Sequence, residues 1–310
     1  MGRVFRPGSE AGPKDPPYIR EGLARMQMRQ MLFAVAVAAG LMLIPQSAAA
    51  QQRPLVTEDP EPIGAGRLLL EGGFDYSIDT QLPAQGLQGN LLRMPTLGVS
   101  VGISSIAEFQ IDGGFYNRLK ITDQKDAPLT RFLKIDGDTT SDFQDVIVAT
   151  KIRFLAESPK HPSFALRFAT KLPIASNENG IGLDTMDFYA TLLAAKTVQS
   201  VRIVGNGGVG ILSSPTSINE QNDVLVYGAS FARALTDNAE FVGEINGRWS
   251  TRAGGPFPGT ESRSILNIGG RYTTGSLRLD GGLFFGLTTL DPTIGFTAGF
   301  TYVFTAFEVP

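Results

Sequence analysis

Apolar and polar residues alternate along most of the chain, and the stretch Thr293–Phe304 shows the pattern most clearly. Successive side chains of a β-strand point to opposite faces, so this stretch has one apolar, aromatic-rich face and one small, mostly polar face. Its length of about twelve residues exceeds the roughly 5–6 residues usual in soluble sheets and suits the roughly 9–11 tilted residues that cross a bilayer. A soluble sandwich strand with its aromatic residues in a core gives the same pattern in a single stretch. Recurrence along the chain distinguishes the two.

Eleven earlier stretches repeat the alternation. They are Arg67–Ile78, Leu91–Ile103, Ala107–Ile121, Asp145–Leu155, Ser163–Leu172, Asp184–Thr197, Val201–Leu212, Val224–Leu235, Ala239–Ser250, Arg263–Tyr272 and Leu277–Leu287. Short connections alternate with long ones rich in Gly, Pro, Asn and Asp, the rhythm of an outer-membrane barrel with tight periplasmic turns and longer outer loops. Lipid cannot satisfy free backbone N–H and C=O groups, so the last strand must pair with the first. The fold class predicted is all-β: a transmembrane antiparallel up-and-down β-barrel of about 12 strands over residues 67–304, followed by a tail at 305–310.

The first fifty residues are expected to lie outside this fold. Residues 1–27 are interpreted as a disordered extension or a wrongly assigned start. Residues 28–50 carry Arg29, an apolar run over Leu32–Ile44 and the small residues Ser47–Ala50, the pattern of a secretory signal peptide cleaved after Ala50. The apolar run is too short to span a membrane as a helix. Residues 51–66 hold three prolines and are predicted to form an extended periplasmic lead-in. These features predict export to the bacterial outer membrane.

Charged residues occupy the face of the strands opposite the apolar one. An Arg or Lys turned toward lipid costs about 2–4 kcal/mol at the bilayer midplane, so this face is predicted to line the lumen. Two interpretations stay open: cross-strand pairs that fill the barrel, or a pore lining that sets selectivity. A barrel of about twelve strands lies between filled barrels of about eight and open ones of about 16–18, which favours a constricted pore or one gated by the loop Thr122–Asp142. The candidate pore-lining residues are Glu71, Asp75, Glu108, Asp112, Arg118, Lys120, Lys151, Arg153, Arg167, Lys171, Asp187, Glu244, Arg248, Arg271 and Arg278.

Aromatic residues near strand ends predict the two membrane–water interfaces. With both termini in the periplasm, Tyr76 and Trp249 fall at outer ends, and Tyr272, Tyr302 and Phe304 fall at inner ends. These positions match the aromatic girdles of membrane barrels.

Composition removes several classes of function. The chain has no cysteine, a single histidine and a net charge of -3, which excludes disulfide scaffolds and thiolate metal sites and leaves no basic footprint for nucleic acid. His161 is predicted to be a solvated turn residue, and the glycine-rich run 205–210 lacks the helix that a dinucleotide loop requires. No catalytic residue, metal or cofactor is therefore expected. The expected partners are outer-membrane lipid, the barrel-assembly machinery, which would read Phe304 or Phe307, and a small solute.

Four short motifs along the chain resemble those of a known family. They are Arg53-Pro54-Leu55-Val56-Thr57-Glu58-Asp59-Pro60 with Gly64, Gly66 and Arg67; Asp145-Val146 with Lys151-Ile152-Arg153; Phe164–Pro173; and Leu279-Asp280-Gly281-Gly282 through Gly299-Phe300. With these motifs the chain resembles the MetA-pathway phenol-degradation family of outer-membrane transporters. The resemblance implies passive passage of small solutes, aromatic or otherwise apolar. A non-conducting structural or surface-interaction barrel is the alternative.

Overall fold

The computed structural model describes residues 53–308, which form one antiparallel sheet of fourteen strands and a 3-10 turn at Thr130–Phe132. The strands are β1 (Arg67–Leu82), β2 (Leu87–Gly102), β3 (Ala107–Gly114), β4 (Asn117–Gln124), β5 (Thr139–Asp142), β6 (Val146–Leu155), β7 (Ser163–Leu172), β8 (Asp187–Val198), β9 (Val201–Ser213), β10 (Gln221–Ala234), β11 (Ala239–Ser250), β12 (Arg263–Thr274), β13 (Leu277–Gly286) and β14 (Ile294–Thr305). Within this part of the chain, no helix has the length and apolar character needed to cross a membrane.

The sheet closes on itself. β14 pairs with β1 over twelve residues, from Arg67 opposite Thr305 to Ile78 opposite Ile294. β3 and β4 both pair with β2 and together form one stave, and β5 and β6 form the next. The described strands therefore make a closed barrel of twelve staves, and the predicted closure is confirmed.

The barrel is apolar outside and polar inside. Phe231, Phe241 and Phe300 are each about two-fifths exposed on the outer face, whereas Lys151 and Thr301 are fully buried on the inner face. Buried charge and exposed aromatic residues reverse the usual order of a soluble protein. This reversal is what lipid around the barrel and a polar lumen require.

The connections separate the two rims of the barrel. The rim where β1 begins, here called the turn end, carries the connections 103–106, 156–162, 199–200, 235–238 and 275–276. The opposite rim, the loop end, carries longer connections at 125–138, 173–186 and 251–262. The first loop-end connection differs from the predicted long loop 79–90. It has only four residues, 83–86, because β1 and β2 both extend to sixteen residues.

The third stave breaks at Phe115 and Tyr116, and this break reverses which face points inward. Below the break Glu108 is 1% exposed and faces the lumen; above it Leu119 is 0% exposed, while Arg118 and Lys120 lie on the outer face. The prediction that Arg118 and Lys120 line the pore is therefore corrected. The break lies opposite Met94 and Pro95 of β2. Because β2 keeps one register with β3 and β4 across it, the side chains of both staves change faces at this point.

Candidate functional site: a lumen occupied by the N-terminal segment

Residues 53–63, here called the luminal segment, run along the inner wall of the barrel. The backbone N–H of Ile63 donates to Glu108 on β3 at 2.6 Å, near the turn end. At the other end of the segment, Arg53 donates to Thr96 on β2 at 3.0 Å and to Thr297 on β14 at 2.9 Å. The sequence predicts this stretch outside the barrel, as a periplasmic lead-in. Its position differs because its carboxylates and backbone groups find partners on the inner wall.

Two acidic residues fix the segment near the turn end. Asp59 accepts two hydrogen bonds from Arg202 on β9, at 2.5 and 2.7 Å, and Glu61 pairs with Arg153 on β6. A bidentate guanidinium–carboxylate pair fixes geometry as well as charge. Arg202 also donates to Glu157 in the adjacent turn at 2.8 Å. Desolvation opposes ionisation of Glu157, but hydrogen bonds from the Thr197 backbone and from Arg202 outweigh it, so the pKa of Glu157 is lowered.

A buried ion cluster fixes the segment next to this anchor. Lys151 lies 2.9 Å from Glu58 of the segment and 3.0 Å from Glu108 of β3, and its ammonium group is fully buried. Gln110 donates to both carboxylates at 2.8 Å and accepts from Arg167 at 2.8 Å. Buried ions need partners of opposite charge, and losing one member leaves the others uncompensated. Glu58 of the segment therefore joins both cations of the cluster, since its carboxylate lies 2.9 Å from Lys151 and 3.6 Å from Arg167.

Backbone groups of the segment bind polar side chains farther around the wall. Glu244 on β11 accepts from the N–H of Val56 at 2.8 and 3.0 Å and from the N–H of Thr57 at 2.7 Å. Asn267 on β12 donates to the carbonyl of Pro54 at 2.7 Å. These contacts satisfy backbone groups that an irregular chain would otherwise bury unpaired.

Arg53, at the start of the luminal segment, contacts further staves of the wall. Its guanidinium donates to the carbonyl of Ala298 at 3.1 Å and lies 3.5 Å from the carboxylate of Asp280 on β13. Arg271 on β12 donates to the backbone carbonyl of Arg53 at 2.7 Å. The segment thus contacts staves on every side of the lumen and forms a partial ring inside the barrel.

Two glycines of the wall leave space for the segment. A Cβ at Gly228 on β10 would lie 2.8 Å from the hydroxyl of Thr57. One at Gly299 on β14 would lie 2.5 Å from the carbonyl oxygen of Gly72 on β1 and 2.6 Å from Nε of Arg53. Atoms other than hydrogen do not approach a real Cβ that closely. Both positions therefore depend on the missing side chain for the fit of the segment against the wall.

A cavity of about 890 Å³ extends from the luminal segment to the loop end. Its polar part includes Glu71, Asp75 and Arg248 of the wall. Toward the loop end, Leu91 and Ile181 line the cavity, and Ile181 belongs to the connection 173–186. The side chains around the cavity therefore change from charged beside the segment to apolar near the rim.

The apolar part is a compact cluster on the inner face. Leu87, Leu91 and Leu119 are all buried, and Leu133 and Ile181 of two loop-end connections pack against them. The two connections also join each other through Lys134 and Glu178, whose charged atoms are 2.8 Å apart. The loop end is thus narrowed by two joined connections with apolar residues on their inner side.

Thirteen of the fifteen predicted pore-lining residues lie on the inner face. Several of them contact the luminal segment and so hold it, in addition to facing the lumen. The thirteen are Glu71, Asp75, Glu108, Asp112, Lys151, Arg153, Arg167, Lys171, Asp187, Glu244, Arg248, Arg271 and Arg278. Lys171 pairs with Asp187 at 2.8 Å and with Asp145 at 3.6 Å, a contact between wall residues only.

Four of the five predicted girdle residues lie near strand ends on the outer face; Tyr76 lies within β1, because this strand continues to Leu82. Trp249 is 62% exposed and Tyr272 is 52% exposed. Tyr76 contacts Phe296, with ring centroids 5.6 Å apart, and Tyr302 contacts Phe304 at the same distance. Their role at a membrane interface stays a prediction. His161 lies half-buried in the turn 156–162, where Nδ1 is 3.2 Å from the carbonyl of Pro162.

Sequence reasoning missed the residues that join the segment to the wall. Glu58, Asp59 and Arg53 belong to a stretch with no strand pattern. Asn206 lies in the glycine-rich run 205–210, which the sequence places inside a strand with no functional role. The Asn206 amide, oriented to satisfy both groups, bonds the backbone N–H and C=O of Glu58 at 2.7 and 2.9 Å. One signal was present: residues 58–61 hold three acids shortly before the first predicted strand, and the predicted inner face carries the Arg and Lys residues that could pair with them.

Comparisons with known proteins agree on fold. No family model and no curated protein matches the chain. Among solved structures, it is similar to the COG4313 outer membrane channel from Pseudomonas putida F1, with 11% identity, 79% of this chain and 98% of that chain covered, and a TM-score of 0.57. A match also covers 94% of this chain and 98% of the translocator domain of the autotransporter NalP from Neisseria meningitidis, with 13% identity and a TM-score of 0.45. The chain has the fold of a bacterial outer-membrane β-barrel.

Proposed function

We propose that the protein is an outer-membrane channel for passive passage of small solutes, with the luminal segment as its internal constriction. The observation that carries this proposal is the cavity of about 890 Å³ between the segment and the loop end. A barrel that served only as a structural element would not need an internal space of this size. The turn end is then periplasmic and the loop end extracellular, as short turns and longer loops imply. The similarity to an outer-membrane channel supports the same function.

The solutes are proposed to be small apolar or aromatic compounds. The part of the cavity near the loop end is lined by apolar residues: Leu82, Leu91, Ile181 and Leu183. Such a surface favours apolar solutes, whose transfer from water gains about 25 cal/mol per Å² of apolar surface buried. The resemblance to the MetA-pathway phenol-degradation family points to the same class of solute.

Bilayer recording of the refolded full chain tests the channel. We expect small, discrete conductance steps, and we expect liposomes with the protein to take up a small phenol faster than protein-free liposomes. Absence of both conductance and solute uptake would reject the proposal. That outcome would favour a non-conducting structural or surface-interaction barrel, which the many contacts of the luminal segment also fit.

Export and location are part of the same proposal. A signal peptide cleaved after Ala50 would leave a mature chain that begins two residues before Arg53; these first residues lie outside the described range. Outer-membrane fractionation, heat-modifiable migration on gels and N-terminal sequencing of the mature protein test these points. Assembly by the barrel-assembly machinery would use Phe304 or Phe307, and the latter is 44% exposed.

We further propose that the protein is not an enzyme. A lipid-acting barrel enzyme would need His161 as a base, and in the structure this ring contacts the carbonyl of Pro162 in a turn. We expect His161→Ala to take up solute as fast as the parent. Neither protein should show lipase activity.

A further inference from the structure

The break in the third stave places two cations on the outer face of the barrel. In the register of β4 with β2, Arg118 lies opposite Leu92 and Lys120 opposite Asn90. Both cations are exposed, whereas Leu119 between them is fully buried inside. A charge on the lipid side of a membrane barrel is costly near the midplane and close to neutral near the interface. The position of the pair along the barrel axis therefore decides what it does.

The two cations lie at the edge of the apolar band toward the loop end. Leu92 pairs with both Tyr76 on β1 and Arg118 on β4, so Arg118 stands level with a predicted girdle residue. Below Arg118, Phe115 is 62% exposed and Ile111 is 43% exposed on the outer face. Lys120 lies one pleat nearer the rim. Along the barrel axis, the apolar side chains lie where lipid tails would contact the protein, and the two cations lie where the lipid headgroups would.

Within the described residues, the protein supplies no counter-ion for this pair. The cross-strand neighbours on β5 are Ser141 opposite Arg118 and Thr139 opposite Lys120, which are both uncharged. The next acid on β4, Asp123, is paired with Lys125 at 3.3 Å. No hydrogen bond or ion pair joins either cation to another described residue. The headgroup region is therefore left to supply the negative charge.

We propose that Arg118 and Lys120 bind phosphate groups of the glycolipid in the outer leaflet of the bacterial outer membrane. The inference rests on the proposed outer-membrane location and not on conduction, because neither side chain lines the lumen. Guanidinium and ammonium groups both bind phosphate, the former through paired hydrogen bonds. Each Lys or Arg near an anionic membrane surface contributes about 1 kcal/mol to binding, so two together give a measurable effect. The site would fix the lipid against the face of the barrel where the third stave is interrupted.

The test uses the full chain refolded in detergent and incubated with bis-phosphorylated lipid A, with retained lipid counted by native mass spectrometry. We expect the retained lipid A to fall about thirtyfold in the double variant Arg118→Gln/Lys120→Gln. The charge-conserving variant Arg118→Lys/Lys120→Arg should retain as much lipid A as the parent protein. The matched control is Lys160→Gln/Arg233→Gln, which removes two exposed cations near the turn end and should also retain the lipid.

A second arm identifies phosphate as the bound group. Dephosphorylated lipid A should be retained poorly by the parent protein, and inorganic phosphate at equal concentration should not give the thermal stabilisation that lipid A gives. Equal retention by the parent and the Gln double variant would overturn the proposal, as would an equal loss in the turn-end control or equal binding of dephosphorylated lipid. Failure of the channel proposal is seen separately, because conductance is recorded without lipid A.

Discussion

Single buried charges decide the shape of the lumen. Lys151 is the largest fully buried side chain of the described residues, and it is held by one carboxylate from the wall and one from the luminal segment. Within the described residues, Glu244 accepts hydrogen bonds only from backbone N–H groups of the segment and from the amide of Asn246. Without the segment, Lys151 would keep Glu108 but lose Glu58, and Glu244 would lose its three hydrogen bonds from backbone N–H groups. The charged groups of the inner wall and the polar groups of the segment therefore stabilise each other.

Replacing Glu244 by Gln is expected to loosen the segment without damaging the barrel. Gln keeps one acceptor oxygen but loses the charge that strengthens three hydrogen bonds, so we expect about 1 to 2 kcal/mol less stabilisation of the segment. Limited cleavage after Glu58 by a glutamyl endopeptidase measures the release of the segment, since Glu61 precedes Pro62 and its bond is not cleaved.

The matched control for that substitution is Glu220→Gln. Glu220 lies in a loop-end connection, and its carboxylate is 3.7 Å from Arg252 with both side chains substantially exposed. An ion pair of this kind is worth about 0–1 kcal/mol, so cleavage of the segment should not change. Equal cleavage rates in Glu244→Gln and the parent would show that Glu244 does not hold the segment.

Adding a methyl group at Gly228 should displace the segment by steric contact. A Cβ there would meet the Thr57 hydroxyl at 2.8 Å, whereas a Cβ at Gly207 meets nothing within 4 Å. Both changes replace Gly by Ala in a strand, so they share the same change in backbone entropy. We expect Gly228→Ala to raise channel conductance and Gly207→Ala to leave it at the parental level in bilayer recording. The same conductance in the two variants would mean that the contact with Thr57 does not matter for passage.

At the scale of the strands, the alternation of side chains predicted most of the architecture. β7 and β11 have the same first and last residues as predicted from sequence, since both faces are clearly marked and turns bound them closely. The break at Phe115 and Tyr116 was not predicted because both residues favour strands and the apolar–polar alternation continues past them. The luminal segment was not predicted because an irregular chain has no period, and its partners are distant in sequence.

The change of face in the third stave gives a direct test. The chain has no cysteine, so a single introduced thiol reports on one position. In the refolded protein, Arg118→Cys should react rapidly with a bulky maleimide, and Leu119→Cys should react slowly because Leu119 is fully buried. An uninterrupted strand over 107–121 requires the opposite order. Faster labelling at position 119 would therefore restore the original prediction and remove the basis of the proposed lipid site.

At the scale of the whole molecule, closure of the barrel and occupation of its lumen are separate facts. The pairing of β14 with β1 closes the sheet through backbone hydrogen bonds and does not involve the segment. The segment then adds a second layer of contacts inside an already closed wall. Two states of the lumen are consequently compatible with one barrel, one with the segment bound to the wall and one with it released toward the turn end.

A reversible cross-link between the segment and the wall tests whether release is needed for passage. A Cβ at position 228 would lie 3.5 Å from the Cβ of Thr57, a separation within the range of about 3.5–4.5 Å found in disulfides. We expect the oxidised double variant Thr57→Cys/Gly228→Cys to conduct less than its reduced form, and addition of a reductant during bilayer recording to restore conductance. Each single-cysteine variant should be insensitive to oxidant and reductant. If the cross-linked protein conducts as well as the reduced one, solutes pass beside a fixed segment. The luminal segment is then a permanent part of the pore wall, and not its gate.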